Sequence, residues 1–294
     1  MPYALTFVAT DMASYREALL LLGQIAHARG LTPPAVLAPW DAAEWIYPVV
    51  DDELEADVLA ATAGLDVDWA LLPAENRKKK LLIADMDSTI IKVECLDELA
   101  DFAGKKDVIS AITERAMRGE LNFESALRER VAMLKGLDLG ALAQCYDERV
   151  KLTHGARALV QTMNAHGARC VLVSGGFSYF TSRVAAAVGF AAERANTLLD
   201  DGKALTGLVG EPILGREAKL SALKEEATAL GISLADTLAV GDGANDLDMI
   251  RAAGLGVAYH AKPIVADEAD AQANHANLRA LLFFQGYRAS EIVE

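Results

Sequence analysis

The pattern of apolar and polar positions changes character near residue 80. Ahead of that point, short strand-like runs and helical stripes take turns. Leu5-Thr6-Phe7-Val8-Ala9 reads as a strand, and Tyr15 to Ala28 has helical periodicity ending near Gly30. Ala35-Val36-Leu37 and the run Trp45 to Val50 predict two more strands. Glu53 to Ala63 predicts an acidic helix, and Asp68 to Leu72 a last strand. The order strand, helix, two strands, helix, strand suggests a small α+β sandwich. The polar run Glu75-Asn76-Arg77-Lys78-Lys79-Lys80 follows, and its length favours a solvated linker over a nucleic-acid-binding tail.

From Leu81 onward the pattern is that of an α/β fold. Leu81–Ala84, Cys170–Val173 and Thr237–Val240 resemble buried parallel strands. Each runs into a small or polar turn: Asp85–Thr89, Ser174–Phe177 and Gly241–Asp246. Ligands of open α/β sheets collect at the carboxyl ends of strands, so three such turns point to one site. The stretch between the first two strands is too long for a simple crossover. Asp97 to Ala103, Val108 to Arg118, Phe123 to Lys135 and Leu139 to Val150 have helical character and predict an inserted helical cap. Asp201-Gly202, inside Leu198 to Gly207, signals a hairpin and a second flap.

Composition narrows the function classes. The chain has 294 residues, is 52% hydrophobic, and carries a net charge of -14. That supports a real core and disfavours general binding to nucleic acid or anionic membranes. An anionic substrate would need locally placed cations. Three widely spaced cysteines, Cys95, Cys145 and Cys170, give neither a disulfide frame nor zinc spacing and suggest a reducing compartment. With no leader-like N-terminus and no apolar stretch of membrane length, the expectation is a cytoplasmic protein.

The first of the three turns carries the main puzzle. A buried strand ends in Asp85 and Asp87, and buried carboxylates need compensation. Asp-x-Asp alone leaves two readings open, a helix cap or a reactive pair. As a reactive pair, one carboxylate attacks phosphorus while the other moves protons. Asp242, Asn245, Asp246 and Asp248 form a second acidic cluster that, with Asp85, suits magnesium and lacks the EF-hand spacing. Gly241 and Gly243 are expected to let the chain turn tightly there. Ser174-Gly175-Gly176 offers a hydroxyl and backbone N–H groups to a phosphate, and Lys219 offers a cation. The five histidines show no triad or metal spacing.

Taken together, Asp85-Met86-Asp87-Ser88-Thr89, Ser174-Gly175-Gly176-Phe177, Lys219 and Gly241-Asp242-Gly243-Ala244-Asn245-Asp246 resemble the four ordered motifs of the haloacid dehalogenase superfamily. The resemblance runs from about Lys80 to the end of the chain. It is closer still to the phosphoserine phosphatase family, through Glu94, through Met117 to Phe123, and through Leu127 to Val131. One departure is Thr153-His154-Gly155, where that family tends to place Pro before Gly; Thr153 is expected to cap the next helix. The first segment looks like a degenerate ACT-type domain. Its turn Thr10 to Ser14 lacks the glycine of amino-acid-binding members, which implies an assembly or packing role.

The resemblance implies a three-layer, Rossmann-like parallel sheet with the cap inserted at about 97–152, and domains at 1–76 and 77–294. It implies a Mg²⁺-dependent phosphatase acting on O-phospho-L-serine, the last step of serine biosynthesis. Asp85 would be the nucleophile, Asp87 the acid/base, and Asp85, Asp242 and the Asp87 carbonyl the metal ligands. Ser174, Gly175 and Lys219 would bind phosphate, with Asn245 reaching substrate or phosphate and Asp246 orienting Lys219 or a metal-bound water. Glu94 would meet the ammonium and Arg130 the carboxylate, with Met117 and Phe123 as apolar walls. Two other readings stand beside this one, an enzyme for another small phosphomonoester and a non-catalytic amino-acid sensor. Monomer and homodimer are both open.

Overall fold

The computed structural model describes residues 1–117 and 121–294. The first unit comprises β1 (Tyr3–Ala9), α1 (Met12–Ala28), β2 (Ala35–Ala38), β3 (Ala42–Tyr47), α2 (Asp52–Thr62) and β4 (Val67–Pro73). The strands pair antiparallel in the order β2-β3-β1-β4, a ferredoxin-like arrangement. Side chains of β1 alternate between two cores. Leu5 and Phe7 meet Leu22, Leu54 and Val58 beneath the two helices, whereas Val8 faces the rest of the molecule. The third strand begins earlier than the run Trp45–Val50 predicts and stops before Pro48, which has no N–H for a ladder. Asp11 fills the β1–α1 turn by accepting from the N–H groups of Ala13 and Ser14 at 2.7 and 2.9 Å.

The polar run 75–80 is not a solvated tether. Arg77 Nη1 donates to Glu44 Oε2 at 2.7 Å, and both side chains are largely buried. Lys78 pairs with Glu291 at 2.5 Å, and Lys79 donates its backbone N–H to Gln285 and its ammonium to the Ala235 carbonyl. The partners lie far away in sequence, so local composition gave no sign of them.

The second unit continues with β5 (Leu81–Ala84), then α3 (Cys95–Phe102), α4 (Lys106–Met117), α5 (Phe123–Ala132), α6 (Leu139–Arg149) and α7 (Ala156–Ala165). Next come β6 (Arg169–Phe177), α8 (Ser178–Val188), β7 (Ala192–Asn196) and the hairpin β8 (Leu198–Asp200) with β9 (Leu205–Val209). The chain finishes with α9 (Arg216–Leu230), β10 (Thr237–Gly241), α10 (Leu247–Ala252), β11 (Leu255–Tyr259), α11 (Pro263–Ala266), β12 (Ala271–Ala273) and α12 (Ala280–Phe284). Six strands form one parallel sheet, ordered β12-β11-β10-β5-β6-β7, the Rossmann-like order. Both faces are covered, which explains the unbroken apolar runs. Leu81 and Ile83 pack with Leu223 and Met249, while Leu82 and Ala84 pack with Leu159 and Phe180.

Chain order reverses at β5, which lies between β10 and β6. That switch point is where such sheets bind ligands. The helices α3–α6 fill the long insertion after β5, and β9 packs against α5. Helix α5 stops at Ala132 rather than at Lys135, because Gly136 turns the chain and donates to the Leu205 carbonyl of the hairpin at 2.8 Å. Thr153 does not cap α7. Gly155 occupies the N-cap in a left-handed conformation, and a Cβ there would lie 2.6 Å from the Arg279 nitrogen. Among the described residues no helix is long and apolar enough to cross a membrane.

Candidate active site

The carboxyl ends of β5, β6 and β10 open into a cavity of about 390 Å³. Its lining includes Asp85, Asp87, Glu94, Phe123, Arg130, Ser174, Gly175, Asp242 and Asn245, and none of the five histidines. Lys219 and Asp246 lie beneath it, 2% and 0% exposed. Met117 closes α4; its expected wall role, like the stretch 118–120 of the same signature, lies outside the described residues and side chains.

Asp85 terminates β5 and does not cap the turn that follows. Its Oδ1 accepts from Lys219 Nζ at 2.5 Å, and Asp246 Oδ1 accepts from the same ammonium at 2.6 Å. Asp246 Oδ2 accepts from the Gly243 N–H at 3.1 Å. The chain does turn tightly after Gly241, the Asp246 N–H donating to the Gly243 carbonyl at 2.9 Å, but neither glycine needs a positive φ to make the turn. Gly241 also supplies space: a Cβ there would lie 2.3 Å from Asp246 Cγ. Oxygens of Asp85, Asp242 and Asp246 all lie within 4.8 Å of one another.

These three carboxylates outnumber the one ammonium between them. Burial raises the Asp85 carboxyl well above its ordinary range, against the pull of Lys219. Burial, then the charge of Asp246, pushes Asp242 up to about 6. Burial also works against the Lys219 ammonium, but Asp246 and Asp85 outweigh it and raise its pKa. An oxygen-only donor set with surplus negative charge fits a hard divalent cation.

Asp87 faces differently. The backbone at Asp87 is extended and at Ser88 left-handed, with φ 57°, so the chain bends between the two carboxylates. Asp87 Oδ1 accepts from the Cys95 N–H at 2.9 Å, and Oδ2 from Ser174 Oγ at 3.1 Å. Cys95 is the first residue of α3, so Asp87 satisfies a helix N-terminus as well as lining the cavity. Burial raises its pKa, and the Cys95 N–H opposes that rise. Ser174 Oγ also accepts from the Gly176 N–H at 2.8 Å, and a Cβ on Gly176 would lie 2.9 Å from Asp87 Oδ2. Only glycine allows that approach.

The segment after β5 supplies further lining. Glu94 accepts from Ser88 Oγ at 2.6 Å; desolvation by the cavity walls, then the charge of Asp87, pushes it up to about 7. Arg130 holds the Ala126 carbonyl through Nε at 3.2 Å while lining the cavity. It is Arg128 that forms the surface pair, with Glu211 at 2.5 Å. Sequence reasoning overlooked Leu96, Asp97, Thr113 and Lys262, which also line the cavity. Lys262 precedes a proline at a helix start, a signal that reads only as a cap.

A family model for haloacid dehalogenase-like hydrolases matches residues 82–251. The chain belongs to that family. Within it, the chain is 46% identical to a phosphoserine phosphatase from Polaromonas sp. over 224 residues, 74% of this chain and 95% of that one. It is 44% identical over 222 residues to a phosphoserine phosphatase from Archaeoglobus fulgidus, covering 76% of this chain but 64% of that protein. The crystal structure of a probable phosphoserine phosphatase from Vibrio cholerae matches with a TM-score of 0.78 and 31% identity, covering 97% of this chain and 86% of that one.

Proposed function

We propose that this protein is a magnesium-dependent phosphatase that hydrolyses O-phospho-L-serine to serine and phosphate, closing serine biosynthesis. The observation that carries the reading is a single cavity lined by two chemically distinct sets of groups. One set is a buried carboxylate pair and a Ser-Gly-Gly segment, with Lys219 beneath them. The other set includes Glu94 and Arg130, a match for the ammonium and carboxylate of an amino acid.

Asp85 attacks phosphorus through the oxygen that Lys219 leaves available, forming an aspartyl phosphate as the serine oxygen departs. Asp87 gives that oxygen its proton. The resulting Asp87 carboxylate then takes a proton from water, whose oxygen attacks phosphorus and releases phosphate from Asp85. Ser174 Oγ, the Gly175 N–H and Lys219 bind the phosphoryl oxygens and stabilise charge in the transition state. Asn245 reaches the substrate or its phosphate. Asp85, Asp242 and the Asp87 carbonyl would hold magnesium, with Asp246 behind them fixing Lys219, and the bound ion offsets phosphate charge. The insertion acts as a cap over 97–152 on a domain spanning 77–294, with Phe123 keeping water from the intermediate. The first unit, residues 1–76, serves packing: Asp11 already occupies the N–H groups of its first turn. Three free, buried cysteines suit a reducing compartment, and we place the enzyme in the cytoplasm.

The test is phosphate release from a panel of small phosphomonoesters with and without magnesium. Phosphoserine should be turned over best, only with the metal, and Asp85→Asn should abolish turnover. Preference for phosphohomoserine or phosphothreonine would replace the substrate assignment. Near wild-type rates in Asp85→Asn would remove the nucleophile assignment.

A further inference from the structure

Asn196 ends β7 and is 2% exposed. It does not line the cavity, yet its amide is fully engaged. Oδ1 accepts from the Leu214 N–H at 2.7 Å. Nδ2 donates to the Gly175 carbonyl at 2.8 Å and to the Leu214 carbonyl at 3.2 Å. Gly175 lies in the irregular C-terminal part of β6. Leu214 precedes Gly215, the N-cap of α9, the helix that carries Lys219. One buried side chain therefore ties together the two segments that deliver Ser174, Gly175 and Lys219.

The sheet explains why such a tie is needed. The β6–β7 register shifts between Val173 and Phe177, where Phe177 pairs with Asn196 itself. Ser174, Gly175 and Gly176 thus leave the ladder, as in a bulge, and lose its hydrogen bonds. Asn196 gives the Gly175 carbonyl a partner in place of the ladder. A peptide is planar, so fixing that carbonyl also fixes the direction of the Gly176 N–H. That N–H in turn donates to Ser174 Oγ. Two consecutive glycines would otherwise leave this loop with many backbone conformations. Phe123 closes over the same junction, as a Cβ on Gly175 or Gly215 would lie 3.3 or 3.4 Å from its ring.

We infer that Asn196 is a positioning residue for phosphoryl transfer, holding the phosphate loop in register with the Lys219 helix. This rests on the phosphatase reading for the role of the loop, but not on the identity of the ester. A merely structural asparagine would affect stability and spare turnover.

The experiment uses the full chain with Asn196→Ala and Asn196→Asp. Each is assayed on phosphoserine and on p-nitrophenyl phosphate, with inhibition by inorganic phosphate and thermal melting alongside. In Asn196→Ala, kcat should fall by about tenfold or more on both esters by the same factor, with weaker phosphate inhibition. The ratio of the two KM values should stay at its wild-type level, because Glu94 and Arg130 are untouched. Asn196→Asp keeps the acceptor for Leu214 but sets a carboxylate oxygen against two carbonyls, so it should lose at least as much. It also provides the measurement if the alanine variant does not fold. Wild-type kcat in either folded variant overturns the inference, as does a loss confined to the KM of phosphoserine. If the wild type hydrolyses p-nitrophenyl phosphate but not phosphoserine, the substrate assignment fails while Asn196 is still judged on the simple ester.

Discussion

Glu94 changes charge near neutrality. Desolvation and the charge of Asp87 push its pKa up to about 7, so it is neutral below that pH and gains charge as the pH rises through it. An ammonium is attracted only to the charged form. KM for phosphoserine should therefore fall as pH rises from about 6 to about 8, while KM for p-nitrophenyl phosphate, which has no ammonium, should change less. Glu94→Gln should flatten the phosphoserine profile. The proposed complementary contact, to the substrate carboxylate, is that of Arg130. Arg130→Ala should raise KM for phosphoserine by about tenfold or more and leave p-nitrophenyl phosphate nearly unaffected. Equal effects on the two esters would argue against an amino-acid substrate.

Helix α3 bears on the chemistry through its first N–H, which Asp87 Oδ1 accepts. That bond favours the carboxylate form and opposes the rise that burial imposes. Cys95→Pro removes it together with the Cys95 thiol contact, which acts on Asp87 in the same direction. Proline is tolerated at the first helical position, and Glu94 before it is already extended, as proline demands. The helix should persist while Asp87 loses the N–H and the thiol contact, so its pKa should rise. The acid limb of the kcat profile should then move to higher pH, because in the proposed mechanism Asp87 takes a proton from water as a carboxylate. An unmoved limb with intact circular dichroism would separate α3 from the acid/base step.

Across the whole molecule, the two sheets are joined by side chains rather than by a tether. Asp68 of β4 is 4% exposed and accepts from the backbone N–H groups of Asn274, His275 and Ala276. Arg77 and Glu44 form a second tie. Asp68→Ala leaves three N–H groups short of a partner, a cost of about 3 kcal/mol or more, and should lower Tm by about 5–10 °C. Turnover at 25 °C should persist, because none of these groups lines the cavity.

Much of this was legible in the order of residues. A parallel strand covered on both faces must be apolar throughout, so β5, β6 and β10 announce themselves, and the polar residues that end them mark the switch point. The opposed pair Glu94 and Arg130 was legible only through family likeness, because a lone glutamate and a lone arginine carry no local signal. Tertiary structure alone decided which group compensates which. Lys219 stands between Asp85 and Asp246, Asp87 meets the start of α3, and Asn196 takes the carbonyl that the β6 bulge releases. Those partners are 134, 27, 8 and 21 residues apart. Periodicity reports which face of an element is buried; only the packed chain determines what that face meets.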